Sequence, residues 1–300
     1  MSKTELTLGP VLYNWSPEKW RDFYFEIADE APVDNVCLGE IVCQKRAPFF
    51  EPVLAEVIDR LGSAGKRVIH SALILIMSRQ DMALARSLTT AHDFYVEAND
   101  VAEVADLKGR PFAIGPYVNV YNEGTLDYLV RQGATRICLP AELPLDAIAA
   151  IADASTIDVE VQAFGRTPLA ISARCYHARA HGRPKSACEY VCGLDDDGMT
   201  VDTLDGKPFL TVNGTQTQSF TCLNLIDDLN TLDAIGVQAF RLHPQSIDMV
   251  EVAETFRSVL DGNLETEEAT GILEDLWTDS PFHNGFLKAT EGVKMVLEAE

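Results

Sequence analysis

The strongest constraint on the fold is an alternation repeated along the chain. Short β-branched or apolar runs are each followed by a charged, amphipathic stretch. The runs read as strands beginning near Leu6, Asn35, Val68, Phe94, Phe112, Thr135, Val159 and Val237. Between them lie helical patterns such as Pro17–Ala31, Phe50–Ala64, Thr125–Gln132, Asp146–Ala154 and Ile247–Leu260. Ser16 before Glu18 and Ser246 before Asp248 are helix-start signals. Gly65, Gly109, Gly133 and Gly236 fall where a helix should end. Eight β→α units of about thirty residues predict an α/β fold, a (β/α)8 barrel, with a doubly wound open sheet as the alternative.

The 300 residues suit one such barrel, and no Pro/Ser-rich linker divides them, so residues 1–300 read as a single domain. One unit is irregular. A cysteine-rich insertion, about 171–222, separates the seventh strand from the eighth, and Asp195–Gly198 and Asp205–Pro208 within it read as hairpin turns. From about 263 to 300 an acidic extension holds Trp277 and Phe282 and reads as a helix and loop over the barrel or a partner.

The formal charge of −22 argues against binding phosphate backbones or anionic lipid over a broad face. No basic-then-apolar leader opens the chain, and the apolar stretch Val68–Met77 is far too short for a span. A soluble, cytoplasmic protein is expected. In that compartment seven cysteines point away from a disulfide framework and toward metal binding or catalysis.

Cys175, Cys188 and Cys192 lie close in sequence, whereas Cys43 follows the second strand. In a barrel every loop after a strand opens at one mouth, so these four should converge there. Cys37, Cys138 and Cys222 sit in apolar runs and read as core. Four thiolates fit zinc or an iron–sulfur cluster, and reduced structural cysteines are the plain alternative. A single short pair, Cys188 and Cys192, leans toward a cluster, because zinc sites usually show two such pairs. Val161–Cys188 contains no acidic residue in a chain with 46, but holds Arg166, Arg174, Arg179, Arg183, Lys185, His177 and His181, and Lys45 and Arg46 follow Cys43. Such a basic mouth would offset an anionic cluster, attract an anionic substrate, or dock a partner.

Around these residues the sequence resembles the ubiquinone-biosynthesis branch of the collagenase-like peptidase family. The resemblance runs from about Leu8 to Arg257. It is carried by Gly165-Arg166-Thr167-Pro168-Leu169-Ala170, Ser172-Ala173-Arg174-Cys175, Arg183-Pro184-Lys185, Cys188-Glu189 and Leu38-Gly39-Glu40 through Cys43. Asn119, Tyr121 and Asn122, Asn213-Gly214 with Gln216-Thr217, and Arg241-Leu242 with Pro244-Gln245 agree as well. It implies a 4Fe–4S cluster on Cys43, Cys175, Cys188 and Cys192, and a heterodimer with a UbiU-like protein. It also implies oxygen-independent hydroxylation of ubiquinone precursors. Relatives in the wider family imply a small anionic oxygen donor such as prephenate. Where the broader family signature has a cysteine before Cys175 this chain has Pro168, and Cys43 would supply that ligand.

No HExxH, G-x-S-x-G, Walker A or G-x-G-x-x-G motif occurs, so hydrolysis rests on the family's name alone. Lys45, Arg46, Asn119, Asn122, Arg174, Arg179 and Arg241 are the candidate substrate or donor contacts. Strand-end turn chemistry is the competing reading for Asn119, Tyr121, Asn122, Arg241, His243 and Gln245. His70 and His92 read as structural, and Asn213-Gly214-Thr215 as a turn. No catalytic acid or base stands out. A non-catalytic, metal-stabilised scaffold subunit is the alternative function, and a separate protein presenting the apolar precursor is expected.

Overall fold

The computed structural model describes residues 3–297; residues 1–2 and 298–300, at the two ends of the single-domain reading, lie outside the described residues. Eight parallel strands close into a barrel: β1 (Glu5–Leu8), β2 (Asn35–Leu38), β3 (Arg67–Ser71), β4 (Val96–Ala98), β5 (Phe112–Ile114), β6 (Ala134–Cys138), β7 (Asp158–Ile171) and β11 (Ala239–Leu242). Closure comes from β11 pairing in parallel with both β1 and β7, which rules out the open sheet. Each observed barrel strand starts within two residues of its expected position. For β4, Phe94 is instead a turn residue whose ring stacks on His70 at 3.8 Å.

The intervening helices include α1 (Pro17–Asp29), α2 (Ala47–Ser63), α3 (Arg79–Thr89), α4 (Val101–Leu107), α5 (Glu123–Gln132) and α6 (Leu145–Ala154). They cover the outward residues of the strands, and Leu6, Leu8, Val36 and Leu38 are fully buried in that layer. Burying one such side chain contributes about 1.5–3 kcal/mol. Ser16 caps α1 as expected, accepting the Lys19 N–H. Ser246 does not cap its helix. Asp248 does, accepting the Glu251 N–H at 2.9 Å ahead of α9 (Met249–Leu260), while the Ser246 N–H is taken by Asp197. A carboxylate at this position also meets the positive end of the helix dipole, which a serine hydroxyl does not match.

Inside the barrel a set of inward residues is charged, beside the thiols of Cys37 and Cys138. Arg136 donates to Glu160 at 2.6 Å and to Glu5 at 2.7 Å. Arg241 donates to both Glu160 and Glu97, and Ser71 donates to Glu97 at 2.9 Å. Every charge in this buried set meets an opposite one, the condition under which buried ions are tolerated.

β7 is 14 residues long and leaves the barrel at its C-terminal end. There it pairs antiparallel with β10 (Gln216–Asn224), which continues through β9 (Pro208–Asn213) to β8 (Met199–Asp202). The five-residue α7 (Tyr176–Ala180) and two short 3-10 turns, Lys185–Ala187 and Val191–Leu194, connect β7 to β8. After β10, α8 (Leu229–Ala234) leads to β11. Beyond α9, α10 (Thr266–Leu276) is followed by β12 (Phe282–His283), which adds in parallel to β10. Trp277 is buried there, with the Arg166 guanidinium over its ring at 5.2 Å.

Candidate metal centre

Cys43, Cys175, Cys188 and Cys192 line one small cavity at the C-terminal mouth, together with Lys45, Arg46, Lys185, Tyr190, Val191 and Gly214. Cys43 is presented by the loop after β2. Glu40 pins that loop, its Oε1 accepting the Val42 and Cys43 N–H groups at 2.8 Å each and pairing with Arg46 at 2.9 Å. Arg46 is 1% exposed and also donates to the Leu12 carbonyl and to Asn213, while Thr215 donates to the Val42 carbonyl. The Cys43 loop is thereby tied to the β9–β10 turn, at which Asn213 is fully engaged as the turn reading required.

Cys175 caps α7, its Sγ accepting the Ala178 N–H at 3.3 Å. Cys188 and Cys192 line the same cavity across Glu189 and Tyr190, which sit back to back in the left-handed region at φ 48° and 54°. Such a conformation costs about 1–2 kcal/mol per non-glycine residue, so its surroundings must hold it in place. Here Tyr190 packs edge-on against Phe49 at 4.7 Å and lies under Lys45 Nζ at 5.3 Å.

The electrostatics favour anionic sulfur at one position in particular. Lys45 Nζ donates to Cys188 Sγ at 3.2 Å. Burial pushes the Cys188 thiol up, but the Tyr190 N–H and the Lys45 ammonium outweigh it and hold the thiol below its ordinary value. Burial dominates at Cys43, which is raised, and at Cys192, pushed up to about 11. Arg46 faces both of these sulfurs, and their charge with that of Glu40 holds the guanidinium above its ordinary value against burial.

The spacing of the donors bears on what they could hold. Among the described residues, the one group of three or more His, Cys, Asp or Glu with ligand atoms mutually within 4.8 Å is His177, His181 and Asp195. No three of the cavity sulfurs stand that close. A single tetrahedral zinc ion with Zn–S of about 2.3 Å needs its sulfurs about 3.8 Å apart. Four convergent thiols are the donor set of a zinc site and of a four-cysteine iron–sulfur site alike.

Cys37, Cys138 and Cys222 are 0–1% exposed in barrel strands or β10, and burial raises all three thiols, Cys222 to about 12. They are core residues, as read. His70 is buried too, and desolvation lowers it to about 4.

The candidate contacts divide. Arg174 and Arg179 line an open basic cavity beside Cys175 with Arg183 and Lys185. Asn119 and Tyr121 line a groove with Leu75, Pro168 and Leu169 on the rim. Asn122 is the N-cap of α5, accepting the Thr125 N–H at 2.9 Å. Arg241 is corrected from a mouth contact to an interior residue, because it is buried and its Nε and Nη2 donate to Glu160 and Glu97. Arg46 likewise braces the cysteine loop and is closed to solvent. His243 packs between Gly9 and Gly165, where a Cβ on either glycine would come within 2.8 Å of it, and Gln245 accepts from Tyr13. Asp195 was not apparent from sequence, since nothing local marks a partner for His177. The i, i+4 spacing of His177 and His181 was the one available signal.

A model of the family described as peptidase family U32 matches residues 18–296. Among solved structures, the chain is similar to the U32 peptidase Mk0906, with 12% identity, TM-score 0.46, and coverage of 82% of this chain and 95% of that one. It is similar to a dihydrodipicolinate synthase, with 12% identity, TM-score 0.47, and coverage of 89% and 79%. It is also similar to the dihydropteroate synthase of Thermus thermophilus, with 13% identity, TM-score 0.40, and coverage of 92% and 95%.

Proposed function

The chain belongs to peptidase family U32, and from that premise we propose that it is a UbiV-type iron–sulfur subunit. In this reading it acts with a UbiU-like protein as a heterodimer that hydroxylates ubiquinone precursors without O2. The observation that carries the reading is the convergence of Cys43 with Cys175, Cys188 and Cys192 around one cavity, with Lys45 donating to one of the sulfurs. These four would hold a 4Fe–4S cluster. All four donors being cysteine, such a group would supply electron transfer rather than an open iron site.

The chain's own residues would do the rest. Glu40 and Arg46 fix the Cys43 loop, and Lys45 supplies positive charge at Cys188. Arg174, Arg179 and Lys185 form a basic cavity beside Cys175 that suits a small anionic oxygen donor such as prephenate. No helix among the described residues is long and apolar enough to cross a membrane, so the reading includes a separate protein that presents the apolar precursor. A cytoplasmic location belongs to the same proposal.

One observation favours a second reading, a non-catalytic scaffold. The charged groups inside the barrel are spent on one another, leaving Glu97 and Glu160 without the freedom of a catalytic acid or base. The deciding experiment is iron and acid-labile sulfide content of protein purified without air, with absorption before and after dithionite. About four iron and four sulfide per chain, bleaching on reduction and lost in Cys175→Ala, are expected. Zinc without sulfide would sink the cluster. Hydroxylation by the reconstituted pair that survives Cys175→Ala would establish the scaffold reading instead.

A further inference from the structure

His177 and His181 stand four residues apart, at the second position of α7 and just past its end. That spacing puts two imidazoles on one face, as helical metal sites require. Their rings lie 11° from parallel with centroids 5.6 Å apart. Asp195, just beyond the turn that carries Cys192, reaches across so that its Oδ2 is 2.9 Å from His177 Nε2. One ligand atom from each of the three lies within 4.8 Å of the other two. His177 is wholly buried, with its Nε2 facing Asp195, whereas His181 is exposed and Asp195 partly so.

We propose that His177, His181 and Asp195 form a second metal site, for a divalent first-row transition ion such as Zn2+ or Co2+. It is separate from the four-cysteine cavity and does not depend on what that cavity holds. Two imidazoles and a carboxylate suit such ions better than Mg2+ or Ca2+, which favour all-oxygen shells. Three protein ligands with solvent on one side leave a fourth position for water. The placement gives the ion a role. α7 begins at Cys175 and holds His177, while Asp195 follows Cys192 by three residues. An ion bridging them would clasp together the two segments that present those cysteines.

Co2+ is the probe. Untagged protein purified without air is titrated with Co2+ and followed by visible absorption. Wild type should bind one Co2+ per chain at a site with weak ligand-field bands, distinct from the intense thiolate charge-transfer bands of any Co2+ taken up by the cysteine cavity. His181→Ala, at an exposed position that the fold does not need, should weaken binding by at least about tenfold, the scale of losses on disturbing a metal shell. Cys188→Ala should keep the Co2+ spectrum. Unchanged affinity of the ligand-field site in His181→Ala would overturn it, as would loss of those bands in Cys188→Ala, or no such bands in wild type.

Discussion

The barrel interior and the cysteine mouth both bury polar groups, but in opposite ways. In the interior, Arg136, Arg241, Glu97 and Glu160 pair with one another, and Glu5 with the hydroxyls of Thr7 and Ser71 extends the network. At the mouth, four thiols line a cavity with Lys45 donating to one of them and Arg46 beside two others. A closed set of charges holds a fold together; an open set of donors waits for something else. The comparison separates residues whose loss should cost stability from residues whose loss should cost cargo.

The largest effect should come from the interior. Glu160→Gln leaves Arg136 and Arg241 short of a countercharge, and breaking a buried pair costs about 3–5 kcal/mol. Urea unfolding checks this, and an unchanged midpoint would erase the contrast. The same residue sets an acid limit. Burial pushes the Glu160 carboxyl up from 4.5, but Arg241 and Arg136 outweigh it and hold it at about 2. A carboxylate held below its unfolded value stabilises the fold above about pH 4.5, and that contribution is lost as pH falls through about 2. Stability of the wild type should therefore decline across this window, and Glu160→Gln should lack that part of the decline.

Next comes a paired substitution. Cys138→Ser should cost about 1–3 kcal/mol, the penalty of a buried hydroxyl without a full partner, and leave bound iron unchanged. Cys43→Ala should abolish bound iron while the circular dichroism of the apo barrel persists. The opposite pattern would mean that the two classes of cysteine have been misassigned.

Lys45→Met tests the charge at the mouth. Removing a cation beside Cys188 should lower the midpoint potential of a bound cluster, by an amount on the order of the ~59 mV that marks a tenfold change for one electron. An equilibrium redox titration reads it, and an unmoved potential would show that the Lys45–sulfur contact has no electrostatic consequence.

The smallest effect is at Asn122. As an N-cap its replacement by alanine should cost about 1 kcal/mol of stability and leave the activity of the proposed heterodimer intact. A large loss of activity at little cost in stability would restore Asn122 to the substrate contacts.

Much of this was legible in the chain. The apolar runs and the helical patterns between them located every barrel strand within two residues, because the outward faces pack on helices and must be apolar. Convergence of Cys43 with the distant cysteines followed from barrel geometry, since loops after strands share one end. Arg241 was misplaced for an instructive reason. A polar residue at a strand end looks like a mouth residue, and only the closed barrel shows Glu97 and Glu160, from two other strands, facing it. The tail likewise gave no sign that Phe282 and His283 would add to β10, because two residues carry no periodicity.

What the sequence determined by itself is the set of local preferences: which runs extend, which coil, where caps and glycines end them, and which cysteines sit in apolar runs. The tertiary structure alone decided the pairings across the barrel and across the mouth. It set Glu160 between two arginines, Glu40 beneath the Cys43 loop, and Asp195 against His177. Those are contacts between residues far apart in the chain, and their energies depend on distance in space and on exclusion of water, quantities that no local pattern encodes.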